Sequence, residues 1–152
     1  MKKIFLLLVI IFISCSNQKA KVIGVKDGDT IVVLLKNNET QTLRLAEIDC
    51  PEKSQSFGVK AKQFTSSQVY GKYITFSTIT KDKYGRSIAK VYYDNKYLSE
   101  EIIKAGFAWF YKRYSNNKRL ELLEHEAKRN KLGIWSDKTT IEPYKFRLIF
   151  NK

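Results

Sequence analysis

A chain of 152 residues is long enough for one domain with its own hydrophobic core and requires no second one. Lys and Arg number 28 against 15 Asp and Glu, a formal charge of +13, so the surface attracts polyanions, nucleic acid first and an anionic membrane second. A generic basic protein kept soluble by its lysines has the same composition, and charge alone does not separate the two.

The first residues carry a targeting pattern. Met1-Lys2-Lys3 is basic, and Ile4 to Ile13 is an unbroken apolar run of ten, too short to cross a bilayer, so 1–14 read as a secretory signal. Phe12-Ile13-Ser14-Cys15 resembles the bacterial lipobox, whose cysteine is lipidated and becomes the mature N-terminus. An ordinary cleaved signal with an incidental cysteine is the alternative; the lack of a small-x-small cleavage site favours the lipobox. The expectation is an exported lipoprotein anchored through Cys15 on the periplasmic or cell-surface side, or a secreted protein if no lipid is attached. Cys50 is then the only thiol of the mature domain, and no intramolecular disulfide can form.

Residues 15–20 follow as the lipidated cysteine and a short polar tether, the domain as 21–147, and 148–152 as a tail. Val22 to Lys26 and Thr30 to Lys36 are rich in branched residues and flank Asp-Gly-Asp, which predicts two strands joined by a turn. Asn37-Asn38 turns the chain into a third strand, Thr40 to Ile48, which Pro51 stops. Ala61, Phe64 and Gln68 recur at helical spacing between Gly58 and Tyr70, with Gly71 as C-cap. Tyr73 to Thr80 and Ser87 to Tyr93 form a hairpin around the turn Asp82 to Arg86. Ser99 is the expected N-cap of a short helix with Glu100 and Glu101 in its first turn and Gly106 at its end. Phe107 to Tyr111 is a strand, and Leu120, Leu123 and Ala127 mark a third helix ending near Gly133. The order is that of a small α+β domain whose strands can close into a barrel.

The chemistry is concentrated in Arg44 to Glu52, Arg-Leu-Ala-Glu-Ile-Asp-Cys-Pro-Glu, a dense charge set for a half-buried strand. Such charges need partners or an ion. Asp27, Asp29, Asp49 and Glu52 are oxygen donors in a mature chain with one thiol and one histidine, a set that suits Ca²⁺ or Mg²⁺ and argues against zinc or copper. Asp27 and Asp29, two apart, fall on one side of an extended backbone. Asp49 is five residues from Arg44, on the opposite face of a straight strand, so the backbone must bend near Ile48 if both serve one site. Taken singly, Asp-Gly-Asp is a turn and Asp82 to Arg86 a hairpin loop. His125, between Glu124 and Glu126, is solvent-facing, and Trp109 and Trp135 are core residues.

Val25-Lys26-Asp27-Gly28-Asp29-Thr30, Arg44-Leu45 through Asp49-Cys50-Pro51-Glu52, and Asp82-Lys83-Tyr84-Gly85-Arg86 together resemble the three signature motifs of the staphylococcal nuclease (thermonuclease) family, in order and at family spacing. Gly106-Phe107-Ala108-Trp109, Glu126-Ala127 to Leu132-Gly133-Ile134-Trp135 and Pro143-Tyr144-Lys145-Phe146-Arg147 match further, so the likeness covers roughly 21–147. The resemblance implies an OB-fold five-stranded β-barrel with three α-helices and a Ca²⁺-dependent endonuclease that hydrolyses DNA and RNA to 3′-phosphate products. It implies Asp29, Asp49 and the main-chain carbonyl of Cys50 as metal ligands, with Asp27 acting through water. Glu52 would activate the attacking water, and Arg44 and Arg86 would bind the phosphate. Lys83 and Tyr84 match substrate-contacting positions, and Tyr111 and Tyr114 lie where the family places nucleotide-contacting aromatics, which bind single strands with little sequence preference. No obligate protein partner is implied and the protein is expected as a monomer. The alternative is a non-catalytic nucleic-acid-binding lipoprotein on the same barrel; family members of that kind lose site arginines and carboxylates, and none is missing here.

Overall fold

The computed structural model describes residues 17–150; the signal segment and Cys15 lie outside the described residues. In chain order the elements are β1 (Gln18–Asp27), β2 (Thr30–Leu34), β3 (Thr40–Leu45), β4 (Ile48–Asp49), α1 (Gly58–Val69), β5 (Tyr73–Lys81), β6 (Ser87–Tyr93), β7 (Lys96–Tyr97), α2 (Leu98–Lys104), β8 (Trp109–Phe110), α3 (Lys118–Arg129), a 3₁₀ turn (Gly133–Ser136) and α4 (Pro143–Phe150). The strands run β3-β2-β1-β5-β6, and a parallel pairing of β3 with β6, Leu43 opposite Ser87 and Leu45 opposite Ala89, closes them into a five-stranded barrel. Closure leaves neither β3 nor β6 as a free edge. Register shifts between Val22 and Gly24 and between Thr78 and Thr80 supply the local twist that a small barrel needs.

The alternating pattern puts Val22, Ile31, Val33, Leu43, Leu45, Phe76, Ala89 and Val91 inside the barrel, all buried. Helix α1 adds Ala61 and Val69 to this core, α2 adds Leu98, Ile102 and Ile103, and α3 adds Leu120 and Leu123. Truncating one of these, Ile102 to Ala for example, would cost about 2–5 kcal/mol in lost burial and cavity.

The expected OB-type α+β barrel is therefore the observed one, with four α-helices among the described residues in place of three. The added helix α4 begins with Pro143, whose missing N–H costs nothing at a first helical position, and it runs through position 147 into the stretch read as a tail. Strand β1 starts at Gln18, inside the stretch read as tether, because Gln18 to Lys21 pair with Phe76 to Tyr73 of β5. The third strand divides into β3 and β4 at Ala46-Glu47, where Glu47 takes φ 71°. Ser99 is not a cap: Tyr97 precedes the helix, and the buried Ser99 Oγ donates to the Ala46 carbonyl at 2.9 Å. The side-chain cap lies on α3, where Asn117 accepts from the amides of Arg119 and Leu120. His125 is solvent-exposed, and Trp109 and Trp135 are half-buried against each other with ring centroids 5.1 Å apart.

Candidate active site

Three strand ends bring the charged motifs together. Asp29 ends the turn before β2, Arg44 of β3 lies opposite Thr30 of β2 and Ile88 of β6, and Arg86 immediately precedes β6. All are thus at one mouth of the barrel. The left-handed residue Glu47 reverses the chain so that Asp49, on β4, comes back over Arg44, and β8 pairs with β4 to hold it there.

Arg44 is the hub. Its Nη1 is 2.9 Å from Asp29 Oδ2 and its Nη2 2.9 Å from Asp49 Oδ1, with side chains 13%, 9% and 3% exposed respectively. Nη1 also donates to the carbonyls of Leu45 and Ile48, each at 3.1 Å. Burial disfavours the guanidinium charge, but Asp29 and Asp49 outweigh it and hold the group above its ordinary pKa. Asp49 is displaced upward by burial, against which the hydrogen bond from Arg147 and the charge of Arg44 work, while Asp29 adds to the rise.

The Asp-Gly-Asp turn is built by close packing. A Cβ on Gly28 would come 2.7 Å from Cys50 Cβ and 2.9 Å from Ala61 Cβ, so only glycine lets the turn rest on β4 and α1. Thr65 Oγ1 of α1 donates to the Gly28 carbonyl at 2.6 Å. Asp29 Oδ2 accepts the Cys50 N–H at 2.8 Å, and Asp27 Oδ1 accepts the Asp29 N–H at 3.2 Å. Burial, and then the neighbouring Asp29 charge, push the Asp27 carboxyl up from 3.8 to about 6. The Cys50 thiol is buried and its pKa is raised by that burial and by Asp29, so the side chain is packing rather than a nucleophile.

Arg86 reaches the same cluster from the hairpin turn. Asp82 Oδ1 accepts the amides of Tyr84 at 2.9 Å and Arg86 at 3.0 Å, and its Oδ2 accepts from Arg86 Nε at 2.7 Å. Although burial opposes the charge, these hydrogen bonds lower the Asp82 pKa. Arg86 Nη1 donates to Thr30 Oγ1 at 3.5 Å, and that hydroxyl donates to Asp29 Oδ1 at 3.2 Å. Among the described residues no hydrogen bond engages Arg86 Nη2 or Arg44 Nε, so each arginine keeps a donor for a ligand. Tyr84 is 71% exposed, with Lys83 Nζ 5.0 Å and Arg86 Cζ 5.5 Å from its ring centroid. Tyr111 and Tyr114 meet edge to face at 4.8 Å, and the Tyr111 hydroxyl is raised by burial and by the charge of Asp49.

Two residues without an assigned role complete the arrangement. Arg147 of α4 forks onto Asp49, Nη2 to Oδ2 at 2.9 Å and Nη1 to Oδ1 at 3.2 Å, and its Nη1 also donates to Glu52 Oε1 at 2.6 Å. Burial works against its charge, yet Asp49 and Glu52 raise its pKa. Gln55, buried, donates through Nε2 to the Ile141 carbonyl and accepts the Glu52 N–H through Oε1 at 3.1 Å. Both contacts join segments more than eighty residues apart, for which no local signal exists. An open cleft of about 370 Å³ lies beside them, lined by Glu52, Lys53, Ser54 and Phe146.

The donors that a cation would meet here are oxygens only. After burial, the Asp29 charge adds to the rise of both Asp49 and Asp27, a repulsion that a hard cation relieves. Among the described residues no three Asp, Glu, His or Cys side chains converge into a ready-built cage. A cation held by Asp29, Asp49 and a main-chain carbonyl would keep most of its remaining positions in water, which fits this donor set.

Fold and site thus define a closed mixed barrel with arginines and carboxylates gathered at one mouth. Residues 42–137 match the sequence profile of the family described as Staphylococcal nuclease homologue. The chain is 40% identical over 144 residues to an "Uncharacterized endonuclease" of Haemophilus influenzae, covering 93% of this chain and 81% of that protein. It is 34% identical to an "Uncharacterized endonuclease" of Escherichia coli O157:H7, covering 97% and 98%, and 34% identical to a "Micrococcal nuclease" of Shigella flexneri, covering 85% and 80%. The chain belongs to the staphylococcal nuclease family.

Proposed function

We propose that the protein is an endonuclease that hydrolyses phosphodiester bonds of DNA and RNA, single strands favoured, to products ending in 3′-phosphate, with Ca²⁺ as cofactor. The observation that carries this reading is the meeting of Arg44 and Arg86, each with a free donor, with Asp29, Asp49 and Glu52 at one barrel mouth. Attack on a phosphodiester builds negative charge on the nonbridging oxygens, and two guanidinium groups aimed at that charge lower the barrier where water cannot reorganise. Asp82 holds Arg86 and the two carboxylates hold Arg44, so neither donor has to be ordered during the reaction. Glu52, 35% exposed by its side chain and so open to solvent, takes a proton from the attacking water in this reading. When bound by Asp29, Asp49 and the Cys50 carbonyl, with Asp27 acting through water, Ca²⁺ supplies further charge stabilisation and polarises the phosphoryl group. Lys83 with Tyr84, and Tyr111 with Tyr114, offer cations and aromatic faces to the flanking phosphate and bases.

We further infer an exported monomer tethered to the membrane through lipid on Cys15, with the basic surface drawing in nucleic acid. Mass spectrometry of the mature N-terminus tests the anchor: a diacylglyceryl Cys15 is expected, and an unmodified terminus contradicts it. Incubating the protein with single-stranded and duplex DNA and with RNA, in calcium or in chelator, tests the activity. Cleavage in calcium alone is expected; binding without cleavage would instead make it a non-catalytic binding module.

A further inference from the structure

Arg147 lies beyond the stretch 42–137 that matches the family profile. Its partners are nonetheless central to the site: Nη1 joins Glu52 Oε1 at 2.6 Å while both terminal nitrogens lie on Asp49. The two carboxylates differ in how well they are held. Asp49, 3% exposed by its side chain, stands on β4 and is also fixed by Arg44. Glu52 stands in the irregular stretch between β4 and α1, and among the described residues Arg147 is the only hydrogen-bond donor to its carboxylate. Its Oε2 accepts none among the described residues.

We propose that Arg147 is a positioning residue that ties the Glu52 carboxylate to Asp49, holding Oε1 and leaving Oε2 to accept the proton of the attacking water. The inference rests on the reading of Glu52 as the base. The planar fork is what the geometry requires, because two acceptors on different elements are bridged by one rigid cation, which a lysine ammonium does not reproduce. A second tie, Gln55 Nε2 to the Ile141 carbonyl, joins the same loop to the segment leading into α4. With Phe146 and Glu52 both lining the cleft, α4 forms a wall of that cleft as well as the support of the base.

The test is a double-mutant cycle in the full chain, with hydrogen exchange alongside. Arg147→Ala is expected to lower kcat by about 10²-fold, the cost of a misplaced catalytic group, with little change in KM. In a Glu52→Gln background the same substitution should remove little more, and added guanidinium ion should restore turnover to Arg147→Ala but not to the double variant. In chelator, amides of residues 52–57 should exchange faster in Arg147→Ala. Arg147→Lys, which keeps the charge and the helix, should fall between wild type and Arg147→Ala. An equal loss in both backgrounds, a rise in KM at unchanged kcat, or unchanged exchange of the loop would overturn the proposal. Wild-type turnover in Glu52→Gln alone would sink the base assignment instead, and the exchange measurement would then decide by itself whether Arg147 fixes the loop.

Discussion

Arg44 and Asp49 face each other across a reversal of the backbone, Nη2 to Oδ1 at 2.9 Å, and the same guanidinium holds Asp29 at 2.9 Å from Nη1. One cation therefore holds together two carboxylates that would otherwise repel, in surroundings with little water. Arg44→Ala leaves both buried charges uncompensated and should cost about 3–5 kcal/mol in stability. Because a bound cation would replace part of the lost charge, thermal melts of this variant should respond more to calcium than those of wild type. An identical calcium response would contradict that.

Asp27 sets a pH dependence in the metal-free protein. Its carboxyl is raised from 3.8 to about 6, so between these values the folded state holds a proton that the unfolded chain has lost. Stability therefore falls as pH rises from about 4 to about 6, since the folded form binds more protons there. Asp27→Asn should remove this fall, leaving a variant more stable than wild type at pH 7 and equal to it below about pH 4. Urea titrations in chelator across this range measure it.

Gly28 tests whether packing sets the position of Asp29. Gly28→Ala drives a methyl group into Cys50 and Ala61 and should destabilise by about 1–3 kcal/mol. The shift of Asp29 should also weaken calcium binding by calorimetry, whereas Gly85→Ala, which meets no neighbour but sits at φ 80°, should affect stability through the turn alone.

Tyr84 and Tyr114, each 71% exposed, are available to stack on bases. Replacing either by Ala should weaken single-strand binding by about 1–3 kcal/mol while leaving stability near wild type. Fluorescence anisotropy with short oligonucleotides in chelator reads the loss, and unchanged affinity for both variants would remove these residues from the substrate path.

The bend between Arg44 and Asp49 was legible because an odd spacing cannot place two side chains on one face of a straight strand; Glu47 at φ 71° is the residue that makes it. Asp82 as the organiser of its turn was within reach too, since an aspartate three residues before glycine is an Asx-turn signal. The Ser99 cap failed because its hydroxyl found a tertiary acceptor, the Ala46 carbonyl, and the helix began two residues earlier, at Leu98. Helix α4, eight residues starting at Pro143, was hidden because it is too short for a periodic signal and lacks the acidic first turn and closing glycine that marked the similarly short α2. Arg147 and Gln55 act only through contacts made after the chain has folded, and no spacing rule reaches across them.

The most direct measurement is the turnover of Glu52→Gln against wild type on single-stranded DNA, each in calcium and in chelator, with binding of the oligonucleotide followed in parallel. Wild type should cleave in calcium and stop in chelator, and the variant should bind as wild type does while losing about 10²-fold or more in turnover. Cleavage by wild type that persists in chelator, or full turnover by the variant, would contradict a calcium-dependent nuclease with Glu52 as its base.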